Sequence, residues 1–179
     1  NNDFGNGNPA TFLLDDDSNI TLPNTRDSEV LPGTYAVSED PVAGWDSPES
    51  TSCTDGSPVN AIVVSAGETV TCTFTNEKLA TIILVKNTIG GNDTFDFAMT
   101  GAGLPSGTPL TTVGNTASTT FSNLDPDNTY SIAETPVPAG WDLISSSCTG
   151  TNTPGSITPD AGEVITCTFT NEEDAFIII

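Results

Sequence analysis

Two stretches of this chain recur at a fixed distance, and that recurrence restricts the fold more than any other feature. "YAVSEDPVAGW" (35–45) returns as "YSIAETPVPAGW" (130–141), and "AGETVTCTFTNEKLATIIL" (66–84) returns as "AGEVITCTFTNEEDAFIII" (161–179). Tyr35, Cys53, Cys72 and Asn76 each stand 95 residues before Tyr130, Cys148, Cys167 and Asn171. Pro138 adds one residue before Trp141, and the loop that follows is one residue shorter. Self-similarity at one period marks a duplicated structural unit. The expected division is a first domain over 1–78, a second over 79–173, and a terminal segment over 174–179.

Within each repeat, apolar residues alternate over short stretches bounded by Gly, Pro, Asn and Asp. "NLDPDNTYSIAE" and "SPVNAIVVSAGETVTCTFTN" read as strands joined by turns, and no segment keeps a helical period for three turns. The expectation is an all-β chain of two tandem immunoglobulin-like β-sandwiches, each of the usual module size. Four cysteines fall two per repeat with the same internal spacing of 19 residues. Of the three possible connectivities, duplication favours Cys53–Cys72 and Cys148–Cys167, because each domain then closes itself. Two thiolates without histidine make a poor metal site. Disulfides in small all-β modules imply an oxidising, extracellular setting.

Charge removes several function classes. The chain has 24 acidic side chains, 3 basic ones and no histidine, a net charge of −21. Binding nucleic acid needs lysine and arginine to displace counterions, and anionic membrane surfaces make the same demand. No window is apolar enough for a membrane span, so membrane insertion is not expected. The start carries no basic segment followed by an apolar core, so the chain reads as a mature product or an excised segment. An enzyme is disfavoured, since no nucleophile stands beside a base.

Alternation also says which way polar residues face. In "YSIAE", Glu134 shares a face with Tyr130 and Ile132. In "ITCTFTN", Asn171 shares one with Ile165, Cys167 and Phe169. In "TIILVK" both faces are apolar, and Lys86 lies with Ile82 and Leu84. Singly, Lys86 would snorkel, Glu134 would cap a turn and Asn171 would bond backbone. Together they aim three polar groups at one interior, where a charge without a partner is costly.

An early-strand lysine, a glutamate in "YSIAETPVPAGW" and an asparagine in the final "CTFTN" resemble the prealbumin-like, CnaB-type (SpaA-like) modules of prokaryotic surface proteins and pilins. The resemblance covers nearly the whole chain, twice. It implies a spontaneous intramolecular isopeptide bond between Lys86 and Asn171, assisted by Glu134. Such a bond forms once per molecule and is maturation, not turnover. Repeat one departs from the pattern: Glu39 and Asn76 occupy the equivalent positions, but no lysine-bearing strand precedes them.

That departure bears on the tail. Ala175, Phe176, Ile177, Ile178 and Ile179 form an apolar β-prone run, and the three isoleucines stand 95 residues after Ile82, Ile83 and Leu84. The expectation is that residues 175–179 supply a first strand to domain one of the next copy or repeat. Head-to-tail contact of this kind does not close on itself. The chain is therefore expected to be an extracellular, cell-surface structural protein. It would be a subunit or repeat period of a pilus-like fibre whose partners are other copies of itself. The alternative is a non-polymerising stalk segment of a larger adhesin. No cofactor is called for. The run Asp15, Asp16, Asp17 is ordinarily a solvated loop and lacks EF-hand spacing, although with a neighbouring loop it would suit calcium. Asn19 and Asn92 open glycosylation sequons, where sugars would be attached.

Overall fold

The computed structural model describes residues 12–14, 23–46 and 48–179, which form strands, turns and extended segments with no helix among them. The chain divides into two units, one of Asn1–Asp40 with Pro48–Thr75, the other of Pro41–Ser47 with Asn76–Ile179. The aspartates at 15, 16 and 17 and the sequon at Asn19 lie outside the described residues.

Four short strands make up the described part of unit 1. They are β1 (Gly33–Tyr35), β2 (Ser50–Cys53), β3 (Ile62–Val64) and β4 (Cys72–Thr75). β1 pairs antiparallel with β3, and β2 pairs antiparallel with β4. The disulfide Cys53–Cys72 joins directly opposed residues of the second pair, with Cα atoms 4.0 Å apart. Tyr35 Oη donates to Leu31 O at 2.5 Å, a side chain turned back to pin the chain that precedes its own strand.

Unit 2 holds β5 (Ala80–Ile89), β6 (Thr94–Thr100), β7 (Gly107–Thr111), β8 (Thr116–Leu124), β9 (Ser131–Glu134), β10 (Trp141–Cys148) and β11 (Val164–Glu173). One sheet runs β10-β11-β5-β8, the other β7-β6-β9. Neighbours are antiparallel except β5 and β11, which run parallel over Thr81↔Val164 to Ile89↔Glu172. The segment Pro41–Ser47 belongs here through a Trp45↔Lys78 bridge and a bond from Leu79 N to Gly44 O.

The core fills the space between these two sheets, because one face of each strand is apolar. β5 buries Ala80, Ile82, Leu84, Lys86 and Thr88 and leaves the intervening residues half-covered, the profile of a strand enclosed on both edges. β6 opposes it with Phe95, Phe97 and Met99, and β11 adds Ile165, Cys167 and Phe169. Phe97 meets Phe169 edge to face at 5.1 Å, and Phe95 meets Trp141 at 5.3 Å. Such pairs add about 0.5–1.5 kcal/mol beyond their buried area. The disulfide Cys148–Cys167 ties the edge strand β10 to β11, again between opposed residues.

Tyr130 is fully buried and donates its hydroxyl to Asp125 O at 2.8 Å, the counterpart of the Tyr35 bond. Room for that ring comes from Gly101, whose φ is +119° and where a Cβ would lie 2.3 Å from Tyr130 Cδ1. Gly101→Ala should therefore clash and also force an unfavourable backbone. We expect it to destabilise unit 2 by about 2–4 kcal/mol, read as a fall in the urea midpoint. A midpoint equal to wild type would show that the ring can shift.

Candidate crosslink site

Three polar side chains converge inside unit 2, each placed by strand alternation. Lys86 follows Ile82 and Leu84 on the inward face of β5, opposite Phe169 of β11 and Ala117 of β8. Asn171 is the last buried residue of β11. Glu134 ends β9 on the other sheet and reaches across the sandwich. Lys86 and Asn171 are 0% exposed and Glu134 is 8% exposed.

The geometry is a closed triangle. Lys86 Nζ donates to Asn171 Oδ1 at 2.8 Å and to Asn87 O at 2.7 Å. Asn171 Nδ2 donates to Glu134 Oε1 at 2.6 Å. Glu134 Oε2 lies 3.8 Å from Lys86 Nζ and makes no hydrogen bond among the described residues. Beneath the amine, the Phe95 ring centroid is 4.0 Å from Nζ. Trp141 packs on Phe95 and donates its indole N–H to Asp93 Oδ2 at 2.9 Å, which holds the aromatic floor in place.

Burial sets the protonation. Loss of water pushes the Lys86 amine below its ordinary value, opposed only in part by the Glu134 charge. Burial likewise pushes Glu134 up, against the opposing pull of its Asn171 hydrogen bond and of Lys86. Both shifts favour a neutral amine beside a neutral acid. An unprotonated amine, a carboxamide and a carboxyl group in one dry pocket are the reactants and proton carrier of a transamidation that releases ammonia.

Sequence reasoning names Lys86, Glu134 and Asn171 but not their floor. Alternation in "TFDFAMT" puts Phe95 inward, yet nothing in the sequence says that the ring underlies the amine. Glu39 and Asn76, the equivalents in the first repeat, are both half-buried. Residues 175–179 form no strand; Phe176 is 83% exposed and Ile177 91% exposed. Asn92 is exposed, and its side-chain oxygen accepts from Asn115 N.

A profile of the SpaA-type prealbumin-like fold domain matches residues 82–173, more than half of the chain. The chain belongs to that family. A second prealbumin-like profile matches residues 7–74, so the two domains stand in tandem. The matched range of this prealbumin-like chain takes in Lys86, Glu134 and Asn171 together. Among solved structures, the chain is similar to the major pilin protein of Streptococcus pyogenes at 11% identity and TM-score 0.38, covering 83% of this chain and 70% of that one. A second major pilin structure from Streptococcus pyogenes gives 14% and 0.37, covering 80% and 71%. The pilus adhesin SpaC of Lactobacillus rhamnosus GG gives 13% and 0.39, covering 82% of this chain and 22% of that one. No curated protein matches by sequence.

Proposed function

We propose that the chain is an extracellular structural protein, a subunit or repeat period of a pilus-like surface fibre built head to tail by strand complementation. A Lys86–Asn171 isopeptide bond would make the second domain resistant to unfolding. In the reaction, neutral Nζ attacks the Asn171 amide carbon while protonated Glu134 gives its proton to the amide oxygen, and the carboxylate so formed takes the amine proton. Glu134 then hands that proton to the departing nitrogen, which leaves as ammonia, and recovers the hydroxyl proton as the carbonyl re-forms. The atoms balance without an oxidant or cofactor. Glu134 is suited to this because one oxygen faces Nζ and the other faces Nδ2.

The observation that carries the fibre reading is the register of the tail. Ile177, Ile178 and Ile179 repeat the positions of Ile82, Ile83 and Leu84 at 95 residues. Ile82 and Leu84 are wholly buried in β5, whereas the tail residues are exposed. Apolar surface of that extent is stabilised by covering it, at roughly 1.5–3 kcal/mol per large side chain. A high negative charge and no histidine suit a solvated outer surface better than catalysis.

The test is negative-stain electron microscopy of the purified chain at increasing concentration. Unbranched filaments one domain wide are expected. Isolated particles at every concentration would favour a stalk that does not polymerise.

A further inference from the structure

The indole of Trp141, carried by β10 in one sheet, is gripped by two residues of the other. Asp93 stands one residue before β6, and Phe95 is the second residue of that strand. Asp93 Oδ2 accepts from the indole N–H at 2.9 Å, and the Phe95 ring meets the indole edge to face with an angle of 79° between their planes. Asp93 is itself fixed. Its Oδ1 accepts from Thr94 N at 2.7 Å, so both carboxylate oxygens are held by N–H donors. Its backbone is tied twice to the buried Thr112, with Thr112 N donating to Asp93 O at 2.9 Å and Asp93 N donating to Thr112 Oγ1 at 3.1 Å.

This chain of contacts ends at the reacting amine. Lys86 Nζ sits on a flexible four-carbon stem. It is anchored by two acceptors, Asn171 Oδ1 and Asn87 O, and by the face of Phe95. Two hydrogen bonds leave the amine able to pivot, and the ring fills the space into which it would swing. The ring keeps that place only while it does not turn, and the pinned indole packed against it prevents the turn.

We propose that Asp93 is a positioning residue for the Lys86–Asn171 crosslink, acting through Trp141 and Phe95 to hold the amine against the Asn171 amide. The inference rests on the crosslink reading above and adds to it a residue that touches no reacting atom. No bond is made or broken at Asp93, and no proton passes through it. A misplacement of about 1 Å slows a reaction by about a hundredfold. Loosening the floor should therefore be read in the rate of ammonia loss, not only in stability.

The test follows intact mass with time after the unfolded full chain is diluted out of urea. Asp93→Ala should lose ammonia at least about tenfold more slowly than wild type. Trp141→Phe keeps an aromatic ring but no N–H, and should be slowed to a similar degree. The double variant should be no slower than the slower single one, because both changes remove the same contact. Each variant is also made with Glu134→Ala, where no bond forms, so that its urea midpoint reports stability alone. Gly101→Ala lowers stability without touching the triad and should crosslink at the wild-type rate when compared at equal folded fraction. An equal slowing in Gly101→Ala would mean that the rate follows stability, and would overturn the inference. Slowing that multiplies in the double variant would show that Asp93 does not act through the indole, and overturns it too. Asp93→Ala reacting at the wild-type rate overturns it while leaving the crosslink intact. If Asp93→Ala does not refold, Trp141→Phe decides alone, and a wild-type rate there overturns the inference. A wild-type chain that keeps its full mass overturns both this inference and the crosslink reading.

Discussion

The denatured, fully reduced chain is expected to weigh about 17 Da less than its sequence requires, the mass of one ammonia lost to the Lys86–Asn171 bond. Trypsin offers a second readout, because the chain has only three basic residues, Arg26, Lys78 and Lys86. A free Lys86 lets the protease cut after it and separate 79–86 from 87–179. An acylated Lys86 is no longer a substrate, and 79–179 survives as one piece. Glu134→Ala should restore both the full mass and the cut, because among the described residues no other carboxylate is seen to meet both Nζ and Nδ2. The effect on stability should be large. The bond closes a loop between Lys86 and Asn171, which are 85 positions apart in the sequence, and in the chain-entropy model this is worth about 4–5 kcal/mol. For a domain of this size that corresponds to a melting temperature lower by roughly 20 °C or more in the Glu134→Ala variant. A wild-type chain of full mass that trypsin divides at Lys86 would mean that the triad is a hydrogen-bonded polar cluster and nothing more.

Ile177→Asp should abolish assembly while leaving unit 2 folded. The choice of residue follows from β5, where Ile82 and Leu84 face inward and are fully buried while Ile83 is half-covered on the outer face. Ile177 is the equivalent of Ile82, so an aspartate there would have to be buried with its charge. Losing the isoleucine alone removes roughly 1.5–3 kcal/mol. The buried carboxylate adds a penalty of its own, so affinity should fall at least about a hundredfold. Ile178→Asp changes the outward position and should cost far less. Sedimentation of the two variants beside wild type separates the possibilities. If both fall equally, the tail binds through general hydrophobicity and not as a strand. If neither falls, the tail is not the joint.

The duplication, the all-β class and the face on which each residue lies were all legible in the sequence. Each depends on local chemistry: a strand turns alternate side chains to opposite faces, so "YSIAE", "ITCTFTN" and "TIILVK" declare their inward residues without reference to anything else. The belonging of both halves to one family was legible for the same reason, since its motif residues sit within single strands. Alternation, however, assigns a side chain to a face and not to a neighbour. Only the tertiary structure brought Lys86 to 2.8 Å from Asn171, because that requires β5 to pair in parallel with β11, two strands far apart in the chain. Only the packing of the second sheet carried Glu134 to Nδ2 and slid the Phe95 ring under the amine, and both depend on how two faces interdigitate across the core.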